Sequence, residues 1–307
     1  MSIVFAGTPE NAAKTLEALI EAGTEVTLVV TRPDAPVGRK AVITASPVAQ
    51  VAEKFGIRTL KSKSFDVETV AQIVDGGYKL GIVVAYGGLL KIDALSATEL
   101  GWFNVHYSDL PKWRGASPVQ SAILAGDTET AVSIFKLEEG LDSGPILLKV
   151  RTKIEPFETS GRLLDRLTQL GISGLLEVIP KLLSGTFHLV DQNEFEVTYA
   201  GKISRSDAKL DLTAYARSVE NKVRAMNPEP GAWLLFAGQP FKIHEAREAI
   251  GVEIPIGVVT SVNGRILLGC GKSAVELLEV QPSGKSRMRA PDWYRGHSGT
   301  DLRFEIE

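Results

Sequence analysis

Short apolar runs alternate with amphipathic stretches along the first half of the chain. The apolar runs predict strands at residues 3–6, 26–31, 80–85 and 102–106. The amphipathic stretches predict helices at residues 9–22, 47–55, 67–74 and 118–125. Two further β-like runs and a long helical pattern follow, at residues 131–137, 146–150 and 160–183. This βαβ alternation is typical of a mostly parallel, Rossmann-like sheet with helices on both faces, and the two later runs predict a hairpin.

The second half of the chain has a different pattern. Residues 188–206 show no regular periodicity, which is typical of a connector. A helical pattern at 213–226 precedes short β-like runs separated by Gly and Pro, at residues 233–236, 241–246, 257–262, 266–268 and 274–280. Strands of this length and spacing predict a small barrel. We therefore predict an α/β protein with a first domain at residues 1–189, a linker at 190–206 and a β-rich second domain at 207–307.

Composition excludes several classes of protein. The 307 residues are 44% hydrophobic and 23% charged, and no run approaches the roughly 20 apolar residues of a membrane span. The first residues, MSIVFAGTPE, read as a core strand rather than a signal peptide, so we expect a cytoplasmic protein. The single cysteine, Cys270, is expected to be a small buried apolar residue. The net charge of −3 argues against binding nucleic acid through overall charge, although a local basic patch could still do so.

The candidate chemistry lies in residues 103–120, FNVHYSDLPKWRGASPVQ, and residues 138–147, EEGLDSGPIL. Side chains alternate faces along a strand, so Asn104 and His106 point to the same side. Both come at the carboxyl end of a predicted strand, where open α/β sheets place their sites, and Asp142 could approach from a neighbouring loop. An amide, an imidazole and a carboxylate are suited to acyl-type transfer.

These two segments resemble the signature of the folate-dependent formyltransferases. The segments AGTPE, TRPDAPVGR, VVAYG and RAMNPEPGAW extend the resemblance over nearly the whole chain, and they are similar to the family members that act on methionyl-tRNA. The resemblance implies formyl transfer from the co-substrate 10-formyltetrahydrofolate to the α-amino group of initiator methionyl-tRNA. It also implies a catalytic first domain and an OB-like second domain that binds tRNA. We expect a monomer with no metal and no membrane partner.

The resemblance also assigns catalytic roles. His106 would be the base for the amine proton, because an imidazole titrates near working pH. Asn104 would donate to the oxyanion of the tetrahedral intermediate. Asp142 would fix the imidazole tautomer and stabilise its charged form.

A folate pocket is implied at the Ser-x-Leu-Pro turn and at the opposite wall. Its expected residues are Ser108, Asp109, Leu110, Pro111, Tyr86, Gly87 and Leu89. This chain departs from the family pattern with Tyr107 in place of a frequent glycine and Asp109 in place of leucine. An unpaired carboxylate in an apolar pocket would be costly. Asp109 is therefore expected either to face solvent or to pair with Lys112 or Arg114.

Basic residues are implied to bind tRNA. The loop at residues 31–47 corresponds to the family loop that meets the acceptor end, and the candidates are Arg39, Lys40, Arg32, Lys202, Arg205, Lys209, Arg287 and Arg289. Without the resemblance, the basic clusters outside this loop would be interpreted as solvated faces. Arg114 could support its own turn or meet the ribose or phosphate of the substrate, and the sequence leaves both open.

Other chemistries are not indicated. AGTPE lacks the spacing of dinucleotide and phosphate loops, and we expect Thr8 to cap a helix that Pro9 opens. His188, His244 and His297 have no partners at metal-ligand spacing. Two alternatives remain: a formyltransferase acting on an amino-sugar nucleotide or on glycinamide ribonucleotide, and an inactive RNA-binding protein with this fold.

Overall fold

The computed structural model describes residues 2–38, 40–297 and 302–306. The helices are α1 (Glu10–Glu21), α2 (Pro47–Lys54), α3 (Val67–Gly76), α4 (Ile92–Leu95), α5 (Pro118–Ala125), α6 (Ser160–Ser184), α7 (Ala216–Ala225) and α8 (Ala290–Arg295), with a 3₁₀ turn at Glu194–Glu196. The strands are β1 (Ile3–Gly7), β2 (Val26–Thr31), β3 (Ala35–Val37), β4 (Val42–Thr44), β5 (Arg58–Lys61), β6 (Leu80–Val84), β7 (Trp102–His106), β8 (Arg114–Gly115), β9 (Glu129–Lys136), β10 (Ile146–Lys153), β11 (Tyr199–Ala200), β12 (Trp233–Phe236), β13 (Gln239–Ala249), β14 (Val258–Val262), β15 (Arg265–Cys270), β16 (Ser273–Gln281), β17 (Met288–Arg289) and β18 (Leu302–Arg303).

Contacts divide the chain into two compact units. Unit 1 contains residues 1–115, 130–152 and 164–199, and unit 2 contains residues 116–129, 153–163 and 200–307. Two stretches that precede residue 189 thus pack with the second unit, and α5 contacts α7 there. The division into a catalytic domain, a linker and a tRNA-binding domain stays a prediction.

Unit 1 is built on a seven-stranded sheet with the order β10-β9-β7-β6-β1-β2-β5. The strands from β7 to β5 are parallel, and β9 runs antiparallel to β7. All five side-chain positions of β1 and of β6 are buried, so both faces of the sheet centre are covered. The chain proceeds outward in opposite directions from β1 and β6. The carboxyl ends of β1 and β6 therefore form a topological switch point, where α/β sheets place their ligand crevice.

The start of α1 differs from the prediction. Its N-cap residue is Pro9, which gives no side-chain cap, and the Thr8 hydroxyl instead donates to the Tyr86 carbonyl at 2.9 Å. The predicted cap at Thr8 is therefore wrong. This hydrogen bond ties the turn after β1 to the turn after β6, at the switch point.

Unit 2 contains an antiparallel sheet with the order β12-β13-β16-β15-β14-β18, and β17 pairs with β16. The pairing of β13 with β16 shifts register around Glu245, and such bulges bend a sheet. The bent sheet encloses a core that includes Phe241, Trp293 and Phe304, consistent with an OB-like domain. Cys270 lies in this core, as predicted, and burial raises the pKa of its thiol to about 11.

Candidate active site

Strand β7 presents the first two candidate residues. It lies between β6 and β9, with Asn104 opposite Val83 and His106 opposite Ser133. Phe103 is fully buried on the other face, which fixes the orientation of the strand. Asn104 is half-buried and His106 is 5% exposed.

Two different acceptors surround the His106 ring. Its Nε2 lies 2.9 Å from the carbonyl oxygen of Trp113. Because a carbonyl only accepts, Nε2 carries a proton and Nδ1 holds the lone pair of the neutral ring. Nδ1 lies 3.7 Å from Asp142 Oδ2, beyond hydrogen-bond distance. The Trp113 carbonyl, rather than Asp142, therefore fixes the tautomer.

Asp142 is held in an unusual backbone conformation. Its φ is 48°, in the left-handed region that non-glycine residues rarely occupy. Its Oδ2 accepts a hydrogen bond from the Gly115 N–H at 2.8 Å, so the carboxylate links its own loop to the chain beyond β7. The structure thus brings His106 and Asp142 together, with Asn104 two residues away on the same strand.

The turn after β7 is closely packed. The Ser108 hydroxyl donates to the Lys112 carbonyl at 2.6 Å, and the Ser133 hydroxyl donates to the Ser108 carbonyl at 2.7 Å. Ser108, Leu110 and Pro111 are buried. Tyr107 is also buried, and its hydroxyl accepts from the Asn11 amide at 3.1 Å. If this turn meets folate, as we predict, it does so with a backbone of fixed shape.

Asp109 is paired, but not with the residues that we expected. Its carboxylate lies 2.7 Å from Lys149 Nζ and 3.0 Å from Arg151 Nε, both on β10. The prediction of Lys112 or Arg114 as partner is therefore wrong. Burial raises the pKa of the Asp109 carboxyl, but Lys149 and Arg151 outweigh burial and hold that pKa below its ordinary value.

The opposite predicted wall follows β6. Tyr86 is buried, with its hydroxyl donating to the Ser62 carbonyl at 2.8 Å. Gly87 has a φ of 82° and is exposed, and its carbonyl accepts from Arg32 Nη1 at 2.6 Å. The Leu89 side chain is 76% exposed. Leu89 and Gly87 are thus the residues of this wall that are open to a ligand.

The predicted tRNA-binding residues that the structure describes lie on the loop after β2 and in unit 2. Arg39 lies outside the described residues, and Lys40 is exposed beside the β3–β4 hairpin. In unit 2, Lys202 is exposed, and the cationic groups of Arg205 and Lys209 lie 6.0 and 5.9 Å from the centre of the Trp233 ring. Arg287 forms an ion pair with Glu279, and Arg289 is exposed at the start of α8.

Sequence reasoning missed the groups that hold the site together. The Arg114 guanidinium is buried and bonds to Gln192 and Glu194, so it supports its own turn. The Trp113 N–H donates to the Thr198 hydroxyl at 2.9 Å. These partners lie in the aperiodic stretch read as a connector, and no local pattern marks them.

Two kinds of feature are absent from the described residues. Within the described parts of the chain, no three His, Cys, Asp or Glu side chains lie close enough together to hold a metal ion. The helices described here include none with both the length and the apolar character needed to cross a bilayer.

Two family profiles match the chain. The family described as Formyl transferase matches residues 1–179. The family described as Formyl transferase, C-terminal domain, matches residues 202–298.

Two proteins that are similar to nearly the whole chain carry the same name. A protein of Leifsonia xyli subsp. xyli named methionyl-tRNA formyltransferase is 44% identical over 299 residues, covering 97% of this chain and 98% of that protein. A protein of the same name from Streptomyces griseus subsp. griseus is also 44% identical, covering 96% of each chain.

Solved structures show the same fold at low identity. The sugar 3N-formyl transferase WlaRD, crystallised with dTDP and 5-N-formyl-THF, has a TM-score of 0.68 and 17% identity, covering 93% of this chain and 99% of its own. HypX from Aquifex aeolicus, in complex with tetrahydrofolic acid, has a TM-score of 0.64 and 15% identity, covering 99% of this chain and 50% of its own.

Proposed function

We propose, because this chain belongs to the formyl transferase family, that it transfers a formyl group from 10-formyltetrahydrofolate to the α-amino group of initiator methionyl-tRNA. The product is N-formylmethionyl-tRNA, which serves translation initiation. The observation that carries this proposal is the 44% identity, over nearly the full length of both proteins, to relatives named methionyl-tRNA formyltransferase. The likeness to a sugar formyltransferase, at 17% identity, extends only to the fold.

The hydrogen bond from His106 Nε2 to the Trp113 carbonyl indicates how Asn104, His106 and Asp142 divide the reaction. Bound 10-formyltetrahydrofolate supplies an electrophilic formyl carbon and a leaving nitrogen. His106 takes the proton of the attacking amine at Nδ1, since Nε2 already donates to Trp113, and returns it to the departing nitrogen. Asn104 donates to the oxyanion that forms on the formyl oxygen. Asp142, 3.7 Å from Nδ1, faces the nitrogen that gains the proton.

The predicted folate walls fit a flat, partly polar ring. Such a ring needs an apolar surface on its faces and backbone groups along its edges. Leu89 offers an exposed apolar side chain, and Gly87 offers exposed backbone with no side chain in the way. The Ser108–Pro111 turn offers a fixed backbone opposite. Folate binding at Ser108, Asp109, Leu110, Pro111, Tyr86, Gly87 and Leu89 is part of this proposal.

The basic residues hold the tRNA through phosphates, which position a nucleic acid without reading its sequence. Arg32, Arg39 and Lys40 meet the acceptor end. Arg32 also donates to the Gly87 carbonyl, so the loop that meets tRNA is joined to the wall that meets folate. The body of the tRNA lies against residues of the second half, namely Lys202, Arg205, Lys209, Arg287 and Arg289.

We place the reaction in the cytoplasm and on a monomer. Charged tRNA meets ribosomes in the cytoplasm. Light scattering tests the monomeric state, and a mass of two chains at working enzyme concentration contradicts it.

A transfer assay tests the function. The protein is incubated with 10-formyltetrahydrofolate labelled in the formyl group and, in parallel, with methionyl-initiator tRNA, an amino-sugar nucleotide or glycinamide ribonucleotide. We expect acid-precipitable label on the tRNA alone, and loss of that label with His106→Asn. Label on the sugar nucleotide supports the rival transferase, and tRNA binding without transfer supports an inactive RNA-binding protein.

A further inference from the structure

The side-chain amide of Gln192 connects both segments that surround His106. Its Nε2 donates to the carbonyl oxygens of Asp142 and Gly144, each at 2.8 Å. Its Oε1 accepts from Arg114 Nε at 3.1 Å and from Arg114 Nη2 at 2.9 Å. The amide thus uses both of its N–H groups and both lone pairs of its oxygen.

The orientation of this amide is determined by its partners. Both carbonyls only accept and the guanidinium only donates, so the amide nitrogen must face the Asp142 loop and the oxygen must face Arg114. Glu194 holds the guanidinium from the other side, at 2.6 and 3.2 Å. The buried Arg114 is therefore a fixed support for Gln192.

The two carbonyls that Gln192 binds belong to a segment with a residue in the left-handed region of backbone conformation. Asp142 keeps a φ of 48°, and such a conformation persists only where neighbouring contacts hold it. Gln192 fixes the carbonyls of residues 142 and 144, while the Gly115 N–H fixes the carboxylate. Without the hydrogen bonds of the amide, the loop is free to relax and to move the carboxylate away from the His106 ring.

We propose that Gln192 is a positioning residue for the transfer reaction, which sets the distance between the Asp142 carboxylate and the His106 ring. The inference rests on the proposed function. It gives the stretch at residues 190–206, read from sequence as a linker, a part in catalysis. Gln192 itself acts through Asp142.

The test uses two variants of similar size to the natural residue. Gln192→Met removes all four hydrogen bonds, and Gln192→Glu places an oxygen against the two carbonyls while keeping an acceptor for Arg114. A displacement of about 1 Å in a catalytic group costs up to about 10²-fold in rate. We therefore expect kcat to fall about 10- to 100-fold in both variants, with KM for folate and for tRNA within about twofold. Gln169→Met, at an exposed position of α6, is the matched control and keeps wild-type kcat.

A double-mutant cycle separates positioning from general damage. If Gln192 acts through Asp142, then Gln192→Met costs little further activity in an Asp142→Asn background. Equal losses in both backgrounds, wild-type kcat in either variant, or a loss confined to KM would each overturn the inference.

A readout without turnover keeps this inference distinct from the proposed function. The chain has four histidines, so the ring ¹⁵N signals of His106 can be assigned by NMR. We expect these signals to move in Gln192→Met, while those of the exposed His188 stay unchanged. Unmoved His106 signals contradict the positioning role. Wild-type protein that fails to formylate charged tRNA contradicts the proposed function instead.

Discussion

The two ring nitrogens of His106 lie in different surroundings. Its Nε2 is occupied by the Trp113 carbonyl, so the nitrogen left with the lone pair is the one that faces Asp142. Trp113, which provides this carbonyl, adopts a φ of 64°, a strained conformation for a bulky residue. A backbone carbonyl thus fixes the tautomer, a role that the resemblance implied for the Asp142 carboxylate.

Asn104 is the simplest residue with which to test the proposed mechanism. If its amide donates to the oxyanion, Asn104→Ala lowers kcat about 10²- to 10³-fold. The KM values and the melting temperature stay near wild type, because the side chain is only half-buried. Steady-state kinetics measures kcat and KM separately. Asn263→Gly, in a turn of unit 2, is the control. An Asn104→Ala enzyme with normal kcat, or with a defect only in KM, removes Asn104 from the mechanism.

The pattern of apolar residues predicted the buried strands and missed several exposed ones. Strand β7 matches its prediction at residues 102–106, because Trp102, Phe103 and Val105 are core residues. Strand β5 was missed because it lies at the sheet edge and shows no apolar run. The β3–β4 hairpin was missed because it lies within a loop and no residue of its two strands is buried.

The site was predictable to the same limited extent. The i, i+2 spacing of Asn104 and His106 on one strand fixes their common direction, so the sequence predicts it. The bond from Trp113 to Thr198 joins residues 85 positions apart, and that from Gln192 to Asp142 joins residues 50 apart. Hydrogen bonds of this kind depend on the tertiary fold and leave no periodic mark in a polar, aperiodic stretch.

The ion pairs of Asp109 connect the turn after β7 to β10 and make stability depend on pH. The folded-state pKa of Asp109 is lowered, so its contribution is fully present above the unfolded pKa, near 3.8, and is lost as pH falls through the folded value. We expect Asp109→Asn to lower the free energy of unfolding by about 1–3 kcal/mol at neutral pH. This difference should hold down to about pH 4 and shrink below it.

Denaturant unfolding of the two proteins across pH 2–8 measures this difference. Asp165→Asn is the control, because the pair of Asp165 with Lys14 is exposed and contributes at most about 1 kcal/mol. A difference between wild type and Asp109→Asn that stays constant to pH 2 would show that altered packing, rather than the missing charge, causes it.

The overall charge of the protein limits how tRNA can bind. With 34 basic and 37 acidic side chains, attraction of a polyanion must come from local groups. Many arginines of unit 2 already face carboxylates, as Arg265 does Glu276 and Arg287 does Glu279. Arg205 instead lies near the uncharged ring of Trp233, 6.0 Å from its centre.

The salt dependence of tRNA binding therefore distinguishes an arginine that already faces a carboxylate from one that lies near the Trp233 ring. Removing one cation that binds a phosphate reduces the slope of log K against log salt by roughly 0.7–0.9. We expect Arg205→Gln to lower the slope by about that amount, and Arg287→Gln to lower it less, because Glu279 already neutralises Arg287. Binding titrations from low to physiological salt give the slopes, and Lys181→Gln, whose partner is Glu177 on α6, is the control. If Arg287→Gln has the larger effect, the tRNA body lies on the β16–β17 side of unit 2 rather than beside Trp233.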